Sequence, residues 1–278
     1  MRWVICILVC LGFAPRAFAQ DFNVLRGTES VGPALFTNWT GFYVGGQYGY
    51  GAASGDFSNA TSSIIAQALR ITTVEDEFTP SAWPVLGTAT DHTSMFGGFI
   101  GYNSQWQNLI LGVEGNYVQT RFSLVAPSSP IGRITPTDSG GVSWTVIFDG
   151  TGSATNVDYG VLRGRAGVVL GNFLPYGFLG FALGKADINV SSVGSAEGNA
   201  PVSGPCSSAN TPPCYLVTWN VSDSHATLLY GAAVGAGLDV AITQHLFLRG
   251  EFEYLRFAPV SDIVLSAITA RLGVAFKF

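Results

Sequence analysis

The chain has 278 residues, of which 47% are hydrophobic and only 11% charged, with a mean hydropathy of +0.34. Soluble domains carry roughly 25% charged residues, so the composition is membrane-like; yet nothing beyond the N-terminal leader offers the ~18 consecutive apolar residues of a transmembrane helix. A net charge of −5 without a basic run argues against nucleic-acid partners.

The longest apolar candidate, 228–242, is broken by Gly231, Gly235, Gly237 and Asp239. Only a helix or a closed barrel satisfies every backbone hydrogen bond in lipid. An apolar chain without helical spans therefore predicts a barrel. Thirty-five glycines and 13% aromatics suit strands with close backbone approach and interfacial rings.

In chain order, residues 1–19 read as a secretory signal peptide. Arg2 is the basic end, an apolar run follows, and Ala17-Phe18-Ala19 is a cleavage site, so the mature chain is expected to begin at Gln20. Arg2 and Arg16 leave with the signal, and eleven basic against eighteen acidic side chains leave −7. Cys6 and Cys10 leave too; the remaining pair, Cys206 and Cys214, is an even number in an exported chain and is expected to form a disulfide. Residues 20–38 show no period and read as a periplasmic leader, with the outer-membrane barrel expected over 39–278.

The barrel region then alternates. A first strand over 39–57 places Phe42, Val44, Tyr48 and Tyr50 on one face. A polar loop is expected over 58–90. Strands over 91–106 and 108–124 follow; Leu109, Leu111, Val113, Gly115 and Tyr117 face out, which puts Glu114 inside. A second long loop is expected over 125–155. The fourth strand, 156–170, turns Leu162, Gly164, Ala166, Val168 and Leu170 one way and Arg163 and Arg165 the other. A turn at Gly171-Asn172 leads to a strand over 173–190, then a third long loop over 191–223. The sixth strand, 224–242, and the seventh, 245–257, meet at a short turn. The seventh turns Leu246, Leu248, Phe252 and Tyr254 out and Arg249, Glu251 and Glu253 in. The last strand, 266–278, alternates Ile268, Ala270, Leu272, Val274, Phe276 and Phe278 against a small or charged face that includes Arg271. Period 2 over such lengths is the mark of a strand between two environments.

These eight strands predict an all-β, antiparallel, up-and-down transmembrane barrel. The connections run long, short, long, short, long, short, then a short final loop. Outer-membrane barrels have short periplasmic turns and longer extracellular loops, so both ends of the barrel domain fall on the periplasmic side. Prolines stay out of the strand interiors apart from Pro175 and Pro259 near strand ends.

The opening Trp39-Thr40-Gly41-Phe42-Tyr43-Val44-Gly45-Gly46 resembles the first strand of the small porin-like outer-membrane proteins of Gram-negative alphaproteobacteria. So do 111–115, 163–167, Leu174-Pro175-Tyr176, 251–254 and the closing 271–278. The resemblance covers about 39–278. It implies an eight-stranded barrel of the OmpA or surface-antigen type, with Phe276 and the terminal Phe278 read as a signal by the barrel-assembly machinery. It brings no catalytic residues and no cofactor.

Inside the barrel, the expected charge network is Glu114, Arg163, Arg165, Arg249, Glu251, Glu253 and Arg271. Eight strands leave room only for side chains, and near-neutral pairing is what a packed lumen needs. The alternative is a selectivity ring in a narrow pore. His92, His225 and His245 are scattered and match no metal spacing. Ser224-His225 beside Asp223 lies at an outer strand end, but sequence neighbours point to opposite faces, so no dyad is expected there. Trp106, Phe173, Tyr176, Phe276 and Phe278 read as the periplasmic aromatic girdle. Trp83, Trp144 and Trp219 fall in loops and either pack them together or meet a surface partner. Glu75-Asp76-Glu77 reads as a solvated loop tip, with contact to the divalent ions of lipopolysaccharide as the alternative.

The function expected from the sequence is a non-enzymatic scaffold of the outer membrane. Its partners would be membrane lipid, lipopolysaccharide and the assembly machinery. A narrow passive pore and a loop-mediated adhesin with a host or phage ligand are the alternatives, and a lipid-modifying enzyme ranks last.

Overall fold

The computed structural model describes residues 38–199 and 214–278. The expected signal peptide, nearly all of the expected leader, and Cys206 and the side chain of Cys214, and with them the expected disulfide, lie outside the described residues. Ten strands are described: β1 (Gly41–Asp56), β2 (Thr88–Trp106), β3 (Leu109–Gln119), β4 (Ser123–Val125), β5 (Ile131–Thr137), β6 (Ser143–Val168), β7 (Phe173–Asn199), β8 (Cys214–Ala241), β9 (Leu246–Phe257) and β10 (Val264–Lys277). Eight of them form a closed antiparallel barrel. Each pairs with the next, β3 pairs with β6, and β10 closes on β1. The short β4 and β5 lie along the upper part of β6.

The register fixes the size of the barrel. From Val44 the cross-strand partners run through Ile100, Gly115, Leu162, Phe181, Ala232, Arg256 and Ser266, and return to β1 at Ser54. The path re-enters ten residues further along the strand. For eight strands spaced ~4.8 Å apart with ~3.3 Å per residue, that stagger tilts the strands about 40° and sets a backbone radius of about 8 Å. Such a cylinder is just wide enough for interior side chains to fill it.

Strand alternation sorts the side chains as the sequence predicts. Phe42, Leu111, Leu162, Leu179, Leu248, Phe252 and Leu272 point out and are exposed. On β2, Phe96 and Trp106 bound an outward run ten residue steps long, about 25 Å at this tilt, the height of an outer-membrane apolar band. Tyr50, Tyr117, Tyr230 and Tyr254 ring its upper edge. Among the described residues no helix is long and apolar enough to cross a membrane.

The predicted loops need correction. Most of 125–155 is strand, comprising β5 and the first half of β6, while β7 runs on to Asn199 and β8 starts at Cys214, so much of 191–223 is strand too. Alternation was present there, with Trp144, Val146 and Phe148 on one face; Ser and Thr on the other face, and glycines such as Gly150, Gly152 and Gly194 interrupting the core face, gave the stretch a loop-like composition. The 58–90 loop carries two helices, α1 (Ser62–Leu69) and α2 (Thr73–Phe78). Ile65 and Leu69, one turn apart, anchor α1 in the core. Thr72 caps α2 by accepting the Glu75 N–H, so the acidic triplet occupies the first turns of a helix, not a loop tip. Pro136 sits inside β5, where the register slips between Ile134 and Thr137; a bulge there tolerates the missing N–H.

Two apolar clusters result. The lower one contains Trp39, Tyr43, Phe99, Ile110, Leu174 and Phe247. The upper one is much larger and continues above the apolar band, where α1, β4 and the upper parts of β6, β7 and β8 enclose Ile65, Phe122, Phe148 and Trp219.

Candidate functional site

The structure brings all seven predicted lumen charges together between the two clusters, and adds an eighth, Asp239. Four arginines face four carboxylates. Arg163 on β6 is the hub: it donates to Glu114 at 2.5 and 3.0 Å and to Glu251 at 2.8 and 2.5 Å, and it reaches Glu253 at 3.4 Å. Arg165 donates to Asp239 at 2.6 Å and lies 3.3 Å from Glu114. Arg249 donates to Asp239 at 2.8 and 3.2 Å and to Glu114 at 2.8 Å. Arg271 bridges Glu251 at 2.6 Å and Glu253 at 2.7 Å. The side chains of Arg163 and Glu114 are 0% exposed.

Tyrosines complete the carboxylates' bonding. Tyr43 donates to Glu114 at 2.6 Å, Tyr176 to Glu251 at 2.8 Å and Tyr159 to Glu253 at 3.3 Å. Guanidinium planes lie over aromatic faces: Arg163 over Phe178 at 4.0 Å, Arg165 over Tyr176 at 3.8 Å and Arg249 over Phe99 at 4.1 Å. Opposite charge and hydrogen bonds thus compensate every ion, and ring faces three of the arginines, the conditions under which buried ion pairs are tolerated, although Arg165 Nε and Arg271 Nε and Nη1 have no hydrogen-bond partner among the described residues. Small inward residues on β8 make the room. A Cβ on Gly237 would stand 2.4 Å from the Tyr176 hydroxyl, and one on Gly235 would stand 2.4 Å from the Phe178 ring.

Two readings from sequence change here. Tyr176 points into the lumen, not to the girdle, because it shares the parity of Leu174 and Phe178; Trp106, Phe173, Phe276 and Phe278 do lie outside at the lower edge. Asp239 was read only as a break in an apolar run, although it alternates with Leu238 and Val240 on the lumen side. Tyr43 and Tyr159 were equally legible from parity and were missed.

The remaining candidates are dispersed. Trp144 and Trp219 lie on β6 and β8, not in loops, and both are buried. A ring series runs from Trp83 to Phe148 at 6.2 Å and on to Trp219 at 5.8 Å, with Arg133 over Trp83 at 4.8 Å. Glu77 accepts from Ser139 at 3.0 Å and ties α2 to the β5–β6 connection. Asp138 accepts from the Trp144 indole at 2.9 Å and from the N–H groups of Val142 and Gly140. These bonds, the indole's first, hold its carboxyl below the usual carboxylate range. His92 stacks over Tyr50, and His245 over Phe276. Ser224 donates to Asn189 at 2.5 Å, away from His225. Among the described residues no group of His, Cys, Asp or Glu is placed to hold a metal ion.

A closed sheet with an apolar outer band, aromatic edges and a charged, side-chain-filled interior defines an integral outer-membrane β-barrel. Residues 28–278 match the outer membrane protein beta-barrel domain, and the chain belongs to that family. Similar solved structures include Ail, the attachment invasion locus protein of Yersinia pestis (16% identity, 86% of this chain and 99% of that one, TM-score 0.37). Neisserial surface protein A is 14% identical over 86% of this chain and 98% of its own, with a TM-score of 0.33. The N-terminal barrel domain of Pseudomonas aeruginosa OprF is 12% identical over 84% and 97%, with a TM-score of 0.30. No curated protein sequence matches the chain.

Proposed function

We propose that this protein is a non-conducting, non-enzymatic scaffold of the outer membrane that displays a folded extracellular cap and belongs to the small porin-like branch its first strand resembles. One observation carries the reading: a neutral layer of eight buried charges, sealed below by Trp39, Tyr43 and Phe247 and above by the large apolar cluster, fills the barrel from wall to wall. The lumen charges then act as a plug. Membrane lipid and lipopolysaccharide surround the apolar band, and the outward face of β10 with Phe276 and Phe278 is the surface offered to the assembly machinery. The test is single-channel conductance of refolded protein in a planar bilayer, with folding verified by a heat-dependent gel shift. Silence is expected. Reproducible steps that change with Arg163→Ala or Glu251→Ala would replace the scaffold with a pore.

A second reading, adhesion, is favoured by the cap. β6, β7 and β8 rise well above the apolar band, and the Trp83–Phe148–Trp219 series with the Glu77–Ser139 bonds makes their ends one packed unit. Rigid display suits recognition by a host or phage ligand. Deleting 62–83 would abolish partner binding while leaving the barrel's gel shift unchanged.

A further inference from the structure

The upper part of β8 is paired on one side only. β7 accompanies it from Cys214 to Val240, whereas β9 joins it only from Gly231 downward. The β9–β10 turn reaches as high as His225, whose Nε2 lies 3.4 Å from Ser261 Oγ. Above that point, among the described residues, no strand lies on the far side of β8 from β7. Lower down, the bonds fix which residues face which side: Tyr230 O accepts from Ala258 N toward β9, and Ala241 N donates to Asn172 O toward β7. β8 pairs with β7 without a register shift, so every second residue from Leu216 to Ser224 turns its N–H and C=O to the open side. The result is an unpaired backbone template about 26 Å long at ~3.3 Å per residue.

Native proteins blunt such edges with lysine, proline or a bulge. Residues 215–222, Tyr-Leu-Val-Thr-Trp-Asn-Val-Ser, carry no charge and no proline, and they pair with β7 without a bulge. α1 stands beside this strand. A cavity of about 660 Å³ lies between them, lined by Ser63, Gln67 and Ala68 from the helix and by Asn220, Val221 and Asp223 from β8. Its mostly polar lining suits a hydrated main chain better than an apolar ligand. From this juxtaposition we infer that the open edge of β8 and α1 form a groove that takes up an extended, basic peptide segment by strand addition.

Charge selects the partner. The chain has 18 acidic and 13 basic side chains. Four of each cancel in the lumen, two acidic and three basic ones precede residue 38, and Lys277 lies at the lower rim. What remains stands above the apolar band, twelve acidic side chains against five basic. Asp223 brings that excess to the groove: 54% of its side chain is exposed, with His225 Nδ1 3.3 Å away. A lysine or arginine of the added strand opposite Asp223 makes a favourable cross-strand pair, and the acidic surroundings draw a basic segment in. A second copy in the same membrane does not fit. Both β8 strands would run downward, and the neighbour's barrel would collide with β9, which stands directly below the open edge. The inference deepens the adhesion reading, on which its use at the cell surface rests, by naming the seat and the class of partner.

The experiment uses the whole barrel refolded in detergent, with folding checked by the heat-dependent gel shift for every variant. The probes are short fluorescein-labelled peptides read by anisotropy. A peptide alternating lysine and valine should bind at least tenfold tighter than one alternating glutamate and valine, and Asp223→Lys should cut that preference at least tenfold. N-methylation of alternate peptide residues separates edge pairing from charge attraction. Methylating one set should weaken binding at least tenfold, and methylating the other should leave it unchanged, because only one set faces β8. Ser222→Pro removes an edge N–H without touching the β7 ladder and should weaken binding at least tenfold, whereas Ser222→Ala should bind as the parent does. If Ser222→Pro fails to fold, the methylated peptides still decide. Folded parent that does not bind the lysine–valine peptide, or that binds both methylated peptides equally, overturns the groove, and so does an open edge occupied by a second copy, seen as a dimer that Ser222→Pro dissociates. Loss of host-cell adherence on deleting 62–83, with adherence intact in Ser222→Pro and Asp223→Lys, would keep adhesion and overturn this seat for it.

Discussion

Replacing Arg163 by methionine keeps much of the side chain's bulk and removes one charge from a layer that is neutral as built. Arg163 is the one arginine that touches three of the four carboxylates, Glu114, Glu251 and Glu253. Without it four carboxylates share three arginines in a buried layer. Breaking a buried pair by removing one partner costs about 3–5 kcal/mol. A Coulomb estimate agrees: two unit charges ~4 Å apart at an effective dielectric of ~20 interact by about 4 kcal/mol. The folded-to-unfolded equilibrium constant should therefore fall by about a hundred- to several-thousand-fold. The assay is urea unfolding in lipid vesicles, followed by tryptophan fluorescence and gel mobility. Adding Glu251→Gln to Arg163→Met restores neutrality and should recover at least 1 kcal/mol, because contacting sites couple by about 0.5–3 kcal/mol. If Arg163→Met lies within about 1 kcal/mol of the parent, or if the second change destabilises further, the lumen is hydrated and the plug argument fails.

Other outcomes follow from the same geometry. Gly237→Val pushes Tyr176 off Glu251 and should cost about 1–3 kcal/mol by overpacking, whereas Gly164→Val, whose Cβ meets nothing on the outer face, should be near neutral in the same unfolding assay. The lowered pKa of Asp138 contributes cap stability that is complete above the ordinary carboxylate value near ~4 and is lost as pH falls through the lowered one. Tryptophan fluorescence should accordingly report loosening of the Trp144 contact below about pH 4, and Asp138→Asn should remove that dependence. Trp83→Ala breaks the ring series to Phe148 and should loosen the cap, raising proteolysis of 57–87 while the barrel keeps its gel shift.

The membrane-spanning part was legible in the sequence because lipid imposes a strict rule. Every second residue from Leu109 to Tyr117, or from Leu246 to Tyr254, must face hydrocarbon, so period 2 appears without tertiary context. The same parity names Glu114, Arg163 and Arg249 as interior. What it did not give was the closing of the charge balance. Asp239 looked like an interruption until β9 laid Arg249 beside it, since pairing depends on register between strands, which alternation along one strand does not encode. Above the membrane the rule relaxes. There the far face meets water and accepts Ser and Thr, and glycines interrupt the core face, so the upper parts of β6, β7 and β8 read as loop. α1 acquired its place only because Ile65 and Leu69 find a core built by strands distant in sequence.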